Sequence, residues 1–236
     1  RSGQLAVTGL VMGNCSFELA EALQDKMLSQ LGVGGKKVTL TDSSSTERVE
    51  RVVKYPRPIE LRAESPRKDG SHAMLMTIMV GPSSIKQRVL LGLTSEVLNE
   101  VAFKVLRTEQ QLGYVAGGSV SSISNILTVS CFVQSEVALP DLAERHCEKV
   151  LAIDVRTALE KLSDEEFARM KESFTSQLLQ PPLSTAEEME RFWAPTLLGD
   201  CFNTHQEMVT YIASATKANM LAAWHKAVMP EQARQK

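Results

Sequence analysis

Arg107-Thr-Glu-Gln-Gln-Leu-Gly-Tyr-Val-Ala-Gly-Gly118 joins a long amphipathic run to an alternating, strand-like one. On the upstream side Ile85, Val89, Leu93, Val97, Val101 and Val105 recur every four residues, and Leu90 and Leu98 widen the stripe. This predicts a buried-faced helix from Ser84 to about Leu106. Downstream, strands are expected near 114–122 and 126–136. In the second, Leu127, Val129, Cys131 and Val133 form one face, and Thr128, Ser130 and Gln134 point the other way. Arg107 and Tyr114 thus flank a helix-to-strand corner, where Gly113 is expected to supply the permissive backbone of a tight reversal. A fixed cation and a phenol at one corner can donate to the same carbonyl or oxyanion. The same spacing also suits a plainer arrangement, with Arg107 capping the helix C-terminus and Tyr114 packing in the sheet.

Elsewhere the punctuation is clear. Leu5 to Met12 is a strand candidate ending at Gly13-Asn14. A helix capped by Ser16 follows, with Leu19, Ala20, Leu23, Met27, Leu28 and Leu31 on one face. The polar run Thr41–Thr46 is the linker candidate, so residues 1–40 are expected to be the tail of a preceding domain and 41–236 a second domain. Strands are expected at about 48–55, 58–64 and 72–81, with a turn from Pro66 to Ser71. The third strand is apolar on nearly both faces and is expected to be central and covered on both sides.

The last third is helical. Leu139-Pro140 opens a helix to about Glu160, and Ser163-x-x-Glu166, Ser184-x-x-Glu187 and Thr204-x-x-Glu207 read as capping boxes. Phe167, Met170, Phe174 and Leu178 share one face, Pro181-Pro182 stops that helix, and Pro195 should kink or end the next. A last short helix carries Met220, Leu221 and Trp224. Strands followed by helices give an α+β fold with a largely antiparallel sheet.

Composition narrows the function. The chain has 236 residues, is 43% hydrophobic and carries a net charge of −2. Without a basic run it lacks a nucleic-acid footprint, and no apolar stretch is long enough for a membrane span. No leader is visible before Gln4. The abrupt, strand-like start suggests an excised fragment whose own N-terminus is missing. Cys15, Cys131, Cys147 and Cys201 are dispersed and read as reduced thiols, which points to the cytoplasm. The histidines, His72, His146, His205 and His225, form no metal-ligand pattern. Cys201 and His205 straddle a helix boundary with no third ligand, and His146 and Cys147 diverge by about 100° on a helix. Gly113, Gly117 and Gly118 precede a strand, so no helix N-terminus is there to hold a phosphate.

Arg-Thr-x-x-Gln-Leu-Gly-Tyr, followed by Val129-Ser-Cys-Phe-Val-Gln-Ser-Glu136, resembles the C-terminal half of the pitrilysin/insulin-degrading-enzyme family of zinc metallopeptidases. The resemblance spans roughly 45–229, with a fainter echo in 5–31. It implies an αβ roll with helices packed on one face of the sheet, and one more edge strand than this chain holds. It also implies that Arg107 and Tyr114 hold a peptide substrate's backbone in an active site built mainly by the N-terminal half. That half would bring the zinc through His-x-x-Glu-His, and this half would bring none. Phe103, one turn before Arg107, would line an apolar substrate pocket. Where the family usually reads Thr-Lys-Glu-Gln, this chain has Thr108-Glu109-Gln110-Gln111, which reverses a charge beside the site. A non-catalytic scaffold or peptide-binding homologue is the alternative. A His-x-x-Glu-His upstream of Arg1 would tell the two apart.

Overall fold

The computed structural model describes residues 9–32, 58–64, 70–198 and 203–229. The chain divides into two compact units, one of Arg1–Arg51 with Pro181–Phe202 and the other of Val52–Gln180 with Asn203–Lys236. In the first unit α1 (Phe17–Gln30) begins where Ser16 accepts a hydrogen bond from the Leu19 N–H, as expected of an N-cap. Its apolar stripe of Leu19, Leu23, Met27 and Leu31 is exposed. The helix α6 (Thr185–Leu198) starts at Ser184, whose hydroxyl accepts from the Glu187 N–H. The Glu187 carboxylate takes the Leu183 N–H, one residue earlier than a capping box requires. Pro195 neither ends nor splits this helix, which runs on to Leu198.

The second unit holds a three-stranded antiparallel sheet of β1 (His72–Pro82), β2 (Val115–Ile123) and β3 (Ile126–Ser135), in the order β1-β3-β2. Among the described strands β3 is therefore central and β1 lies at an edge, against the sequence expectation. Met74, Met76 and Ile78 pair with Val133, Cys131 and Val129 on the helix-covered face. On the other face Leu75 is 69% exposed. An apolar run reports that a strand touches a core, not how many strands flank it. β2 and β3 form a hairpin around Ser124 and Asn125, whose φ angles of 47° and 62° both lie in the left-handed region that a two-residue turn needs.

The expected faces of β3 are present. Leu127, Val129, Cys131 and Val133 are buried. Thr128 and Ser130 on the opposite face are buried too, and their hydroxyls are satisfied across the sheet. Thr77 lies 3.0 Å from Ser130 and Ser121 lies 2.9 Å from Thr128, hydroxyl to hydroxyl.

α2 (Ile85–Ala102) packs along β2, and β3's partner face is also met by α3 (Pro140–Lys149). Ser84 caps α2 by accepting from the Gln87 N–H. The predicted stripe is extended by Leu91, Ala102 and Leu106, all buried. Leu139-Pro140 does open a helical run, which continues from α3 through a π-helical stretch, Val150–Asp154, into α4 (Val155–Lys161). α5 (Asp164–Leu179) carries the predicted capping box in full. Ser163 accepts from the Glu166 N–H, and the Glu166 carboxylate accepts from the Ser163 N–H at 2.8 Å. Those contacts hold the Glu166 carboxyl below the usual carboxylate range.

At α7 (Thr204–Ser214) the third capping box is absent. Asn203 occupies the cap without a side-chain bond, and Thr204 is already helical. α8 (Lys217–Val228) buries Met220 and Trp224 in the core. Two lysines close helix ends from a distance. Lys217 Nζ donates to the Glu160 and Leu162 carbonyls at the end of α4, and Lys171 Nζ donates to those of Ala213 and Ala215 at the end of α7.

Residues 58–64 form no strand. Leu61 there is 90% exposed, and Arg62 is engaged by Asp141 at 2.9 Å rather than by a β-ladder. Of the strand expected over Leu5–Met12 only residues 9–12 are described, and they are not strand. The expected strand at 48–55, the linker at Thr41–Thr46, most of the Pro66–Ser71 turn and Cys201 lie outside the described residues.

Candidate functional site

The last residue of α2 leads without a break into a π-helix, Phe103–Glu109. The change of winding is anchored by burial, since Ala102, Val105 and Leu106 lie in the core while Phe103 and Lys104 face outward. The Gln110 N–H closes the stretch on the Val105 carbonyl, and the Leu112 N–H reaches back to that of Leu106, both at 2.9 Å. Stretches of π-helix are uncommon and concentrate at functional sites. Nothing in the residue pattern distinguishes this one from ordinary helix.

The reversal that follows is built differently from the expectation. Gln111, not Gly113, takes the left-handed backbone, with φ 51°. Gly113 is needed for a close approach instead. A Cβ added there would sit 1.9 Å from the Gln134 carbonyl oxygen and 2.8 Å from its carbon. The chain therefore runs against the backbone of the central strand just before Tyr114 and enters β2 at Val115, opposite Gln134.

This path brings the three predicted site residues together. The Arg107 guanidinium carbon lies 4.7 Å from the centre of the Phe103 ring and 4.2 Å from that of Tyr114. Both are cation–π distances. Tyr114 is 79% exposed and does not pack in the sheet, and Phe103 is 41% exposed. No described residue accepts a hydrogen bond or forms an ion pair with Arg107, so its planar fork of donors is free among the described residues. The plainer arrangement of helix cap and sheet packing does not hold. Glu109, the reversed charge of the motif, is 3.6 Å from Lys104 and leaves Arg107 alone. A cation with aromatic support and open donors, beside an exposed phenol, is suited to receiving an oxygen acceptor from outside.

His72, His146, His205 and His225 are not brought together. Among the described residues no three His, Cys, Asp or Glu side chains converge on a metal position, so these residues do not fit a zinc centre. Cys131 and Cys147 are buried neighbours and remain free thiols; that of Cys147 is pushed well above the ordinary range by its hydrogen bond to Cys131 and by burial. No described helix is long and apolar enough to cross a membrane.

Residues 93–193, which contain the whole π-helix, the corner and the β2–β3 hairpin, match the family described as PQQ synthase PqqF-like, C-terminal lobe domain 4. The chain has homologues that are members of the pitrilysin/insulin-degrading-enzyme family. It is 32% identical over 145 residues to the A-factor-processing enzyme of Saccharomyces cerevisiae, a match covering 61% of this chain and 14% of that protein. It is 24% identical over 139 residues to the insulin-degrading enzyme of Homo sapiens, covering 58% of this chain and 13% of that one. The fold is similar to the crystal structure of pitrilysin, with a TM-score of 0.68 at 20% identity over 92% of this chain and 22% of that chain. The chain thus spans less than a quarter of the length of each of these relatives. The α+β fold with its antiparallel sheet is that of the family's C-terminal lobe, and the family is one of zinc metallopeptidases.

Proposed function

We propose that this pitrilysin-family segment forms one wall of a peptide-degrading chamber in a zinc metalloendopeptidase, and that Arg107 and Tyr114 act on the substrate. Arg107 donates to the backbone carbonyl beside the scissile bond and fixes its register. Tyr114 donates to the oxygen that becomes the oxyanion as the tetrahedral intermediate forms. The exposed part of the Phe103 ring offers an apolar contact to a neighbouring substrate side chain. Zinc, its ligands and the general base come from the N-terminal half of the same protein, and this segment alone is inactive. The observation that carries the reading is the cation–π contact of Arg107 with both rings while its donors meet no described acceptor. We further propose that residues 1–40 are the tail of a preceding domain, tested by limited proteolysis near Ser43–Ser45; cleavage confined to other loops would argue against it.

Tyr114→Phe in the full-length protein tests the catalytic role. The variant keeps the ring and loses only the donor, so kcat should fall by about 10²–10³ with little change in KM. Since Tyr114 is exposed and no described residue bonds its hydroxyl, Tm should stay where it is. An unchanged kcat, or a loss of activity matched by a lower Tm, would defeat the assignment.

A further inference from the structure

An arginine side chain has many rotamers, and a contact that holds it still before substrate arrives saves that entropy loss later. Hydrogen bonds usually provide such restraint, yet no described residue accepts one from Arg107. The two ring contacts are what remains. They are not equivalent. Tyr114 is 79% exposed and stands in the bend before β2, and no described group bonds its hydroxyl. Phe103 projects from a backbone pinned on both sides by core residues, Ala102 before it and Val105 and Leu106 after it. The nearest acid on the same turn, Glu109, is occupied by Lys104 at 3.6 Å, so it does not draw Arg107 away.

We propose that Phe103 is a positioning residue. Its ring is the fixed support on which the Arg107 guanidinium rests, with Tyr114 as the second, softer contact, and the arginine's donors are left free for the substrate. The inference rests on the role given to Arg107 above, and it gives Phe103 a duty separate from any contact with a substrate side chain. A ring face attracts the cation without consuming an N–H, whereas a carboxylate in the same place would occupy the donors the substrate needs.

Two measurements test it. In the full chain, the Arg107 Nε proton, assigned by its disappearance in Arg107→Met, should resonate upfield of an exposed arginine through ring current. It should move back toward the exposed value in Phe103→Leu and stay displaced in Phe103→Trp. In the full-length protein, Phe103→Leu should lower kcat about tenfold, Phe103→Trp should retain most of it, and Phe103→Leu should cost nothing further in an Arg107→Met background. A pocket-wall role alone predicts instead an unchanged kcat, with only a rise in KM that depends on the substrate side chain and persists without Arg107. That result, or an Arg107 signal indifferent to Phe103→Leu, overturns the proposal. If Tyr114→Phe leaves kcat unchanged while the signal still responds to Phe103→Leu, the catalytic reading has failed and the ring support has not.

Discussion

Gly113→Ala is the most exacting test of how the corner is built. The added Cβ would lie 1.9 Å from the Gln134 carbonyl oxygen, 2.8 Å from the Gln134 carbonyl carbon and 3.2 Å from the Ser135 Cα. Relief demands a separation of at least about 1 Å more, and every atom in the way is backbone. That backbone belongs to β3, which is bonded to β1 on one side and β2 on the other, so it cannot yield cheaply. Residues 110–114 must move instead, taking Tyr114 off Arg107. Overpacking against rigid surroundings typically costs about 1–3 kcal/mol, and this contact belongs at the upper end. For a chain of this size each kcal/mol lowers Tm by roughly 2–4 °C, so a drop of about 4–12 °C is expected by calorimetry. Gly113→Asn separates the two explanations of this glycine. Asparagine tolerates a left-handed backbone but carries the same Cβ, so it should be as damaging as alanine. Gln111→Gly, at the residue that does hold φ 51°, should be nearly neutral, because relieved strain offsets the greater freedom of the unfolded chain. A Gly113→Ala protein melting within 1 °C of the parent would refute the close-approach argument.

Ser163→Ala should cost about 1 kcal/mol in chemical denaturation through loss of the α5 cap. Because the folded-state pKa of Glu166 is depressed, its contribution is present above the ordinary carboxylate range and fades as pH falls through the folded value. Glu166→Gln, which removes the titrating carboxyl, should therefore flatten the acid side of the stability profile, and an unaltered profile would exclude the linkage. Cys147, buried and with its thiol shifted upward, should resist iodoacetamide at pH 8 until the chain unfolds, whereas exposed Cys15 should react in the native state; peptide mapping by mass spectrometry reads both. Lys217→Met should lower stability by about 1–2 kcal/mol, because the Glu160 and Leu162 carbonyls lose their charged donor; a loss below 0.3 kcal/mol would show that water replaces it freely.

The features legible in the sequence are those set by neighbours along the chain. Ser16 and Ser163 cap their helices because a hydroxyl reaches an N–H three residues on, whatever lies beyond. The stripe of α2 and the inward face of β3 follow from helical and strand periods that tertiary contacts do not alter. The likeness to the family was legible too, because Arg-Thr-x-x-Gln-Leu-Gly-Tyr is a local string. What the tertiary structure decided depends on atoms distant in sequence. The edge position of β1 among the described strands depends on which strands pair, and an apolar strand reads alike at either place. Thr204 has a capping sequence but lies inside its helix, and the cap position falls to Asn203. Residues 58–64 alternate like a strand but have no ladder partner among the described residues, and an unpaired strand has no hydrogen bonds to hold it. Gly113 shows the division most clearly. The sequence indicates that a glycine is needed, but only the carbonyl of Gln134, twenty-one residues away and 1.9 Å from a missing Cβ, explains why. The meeting of Phe103, Arg107 and Tyr114 is of the same kind, because a ring–cation contact is set by the path of the backbone between them and has no spacing of its own.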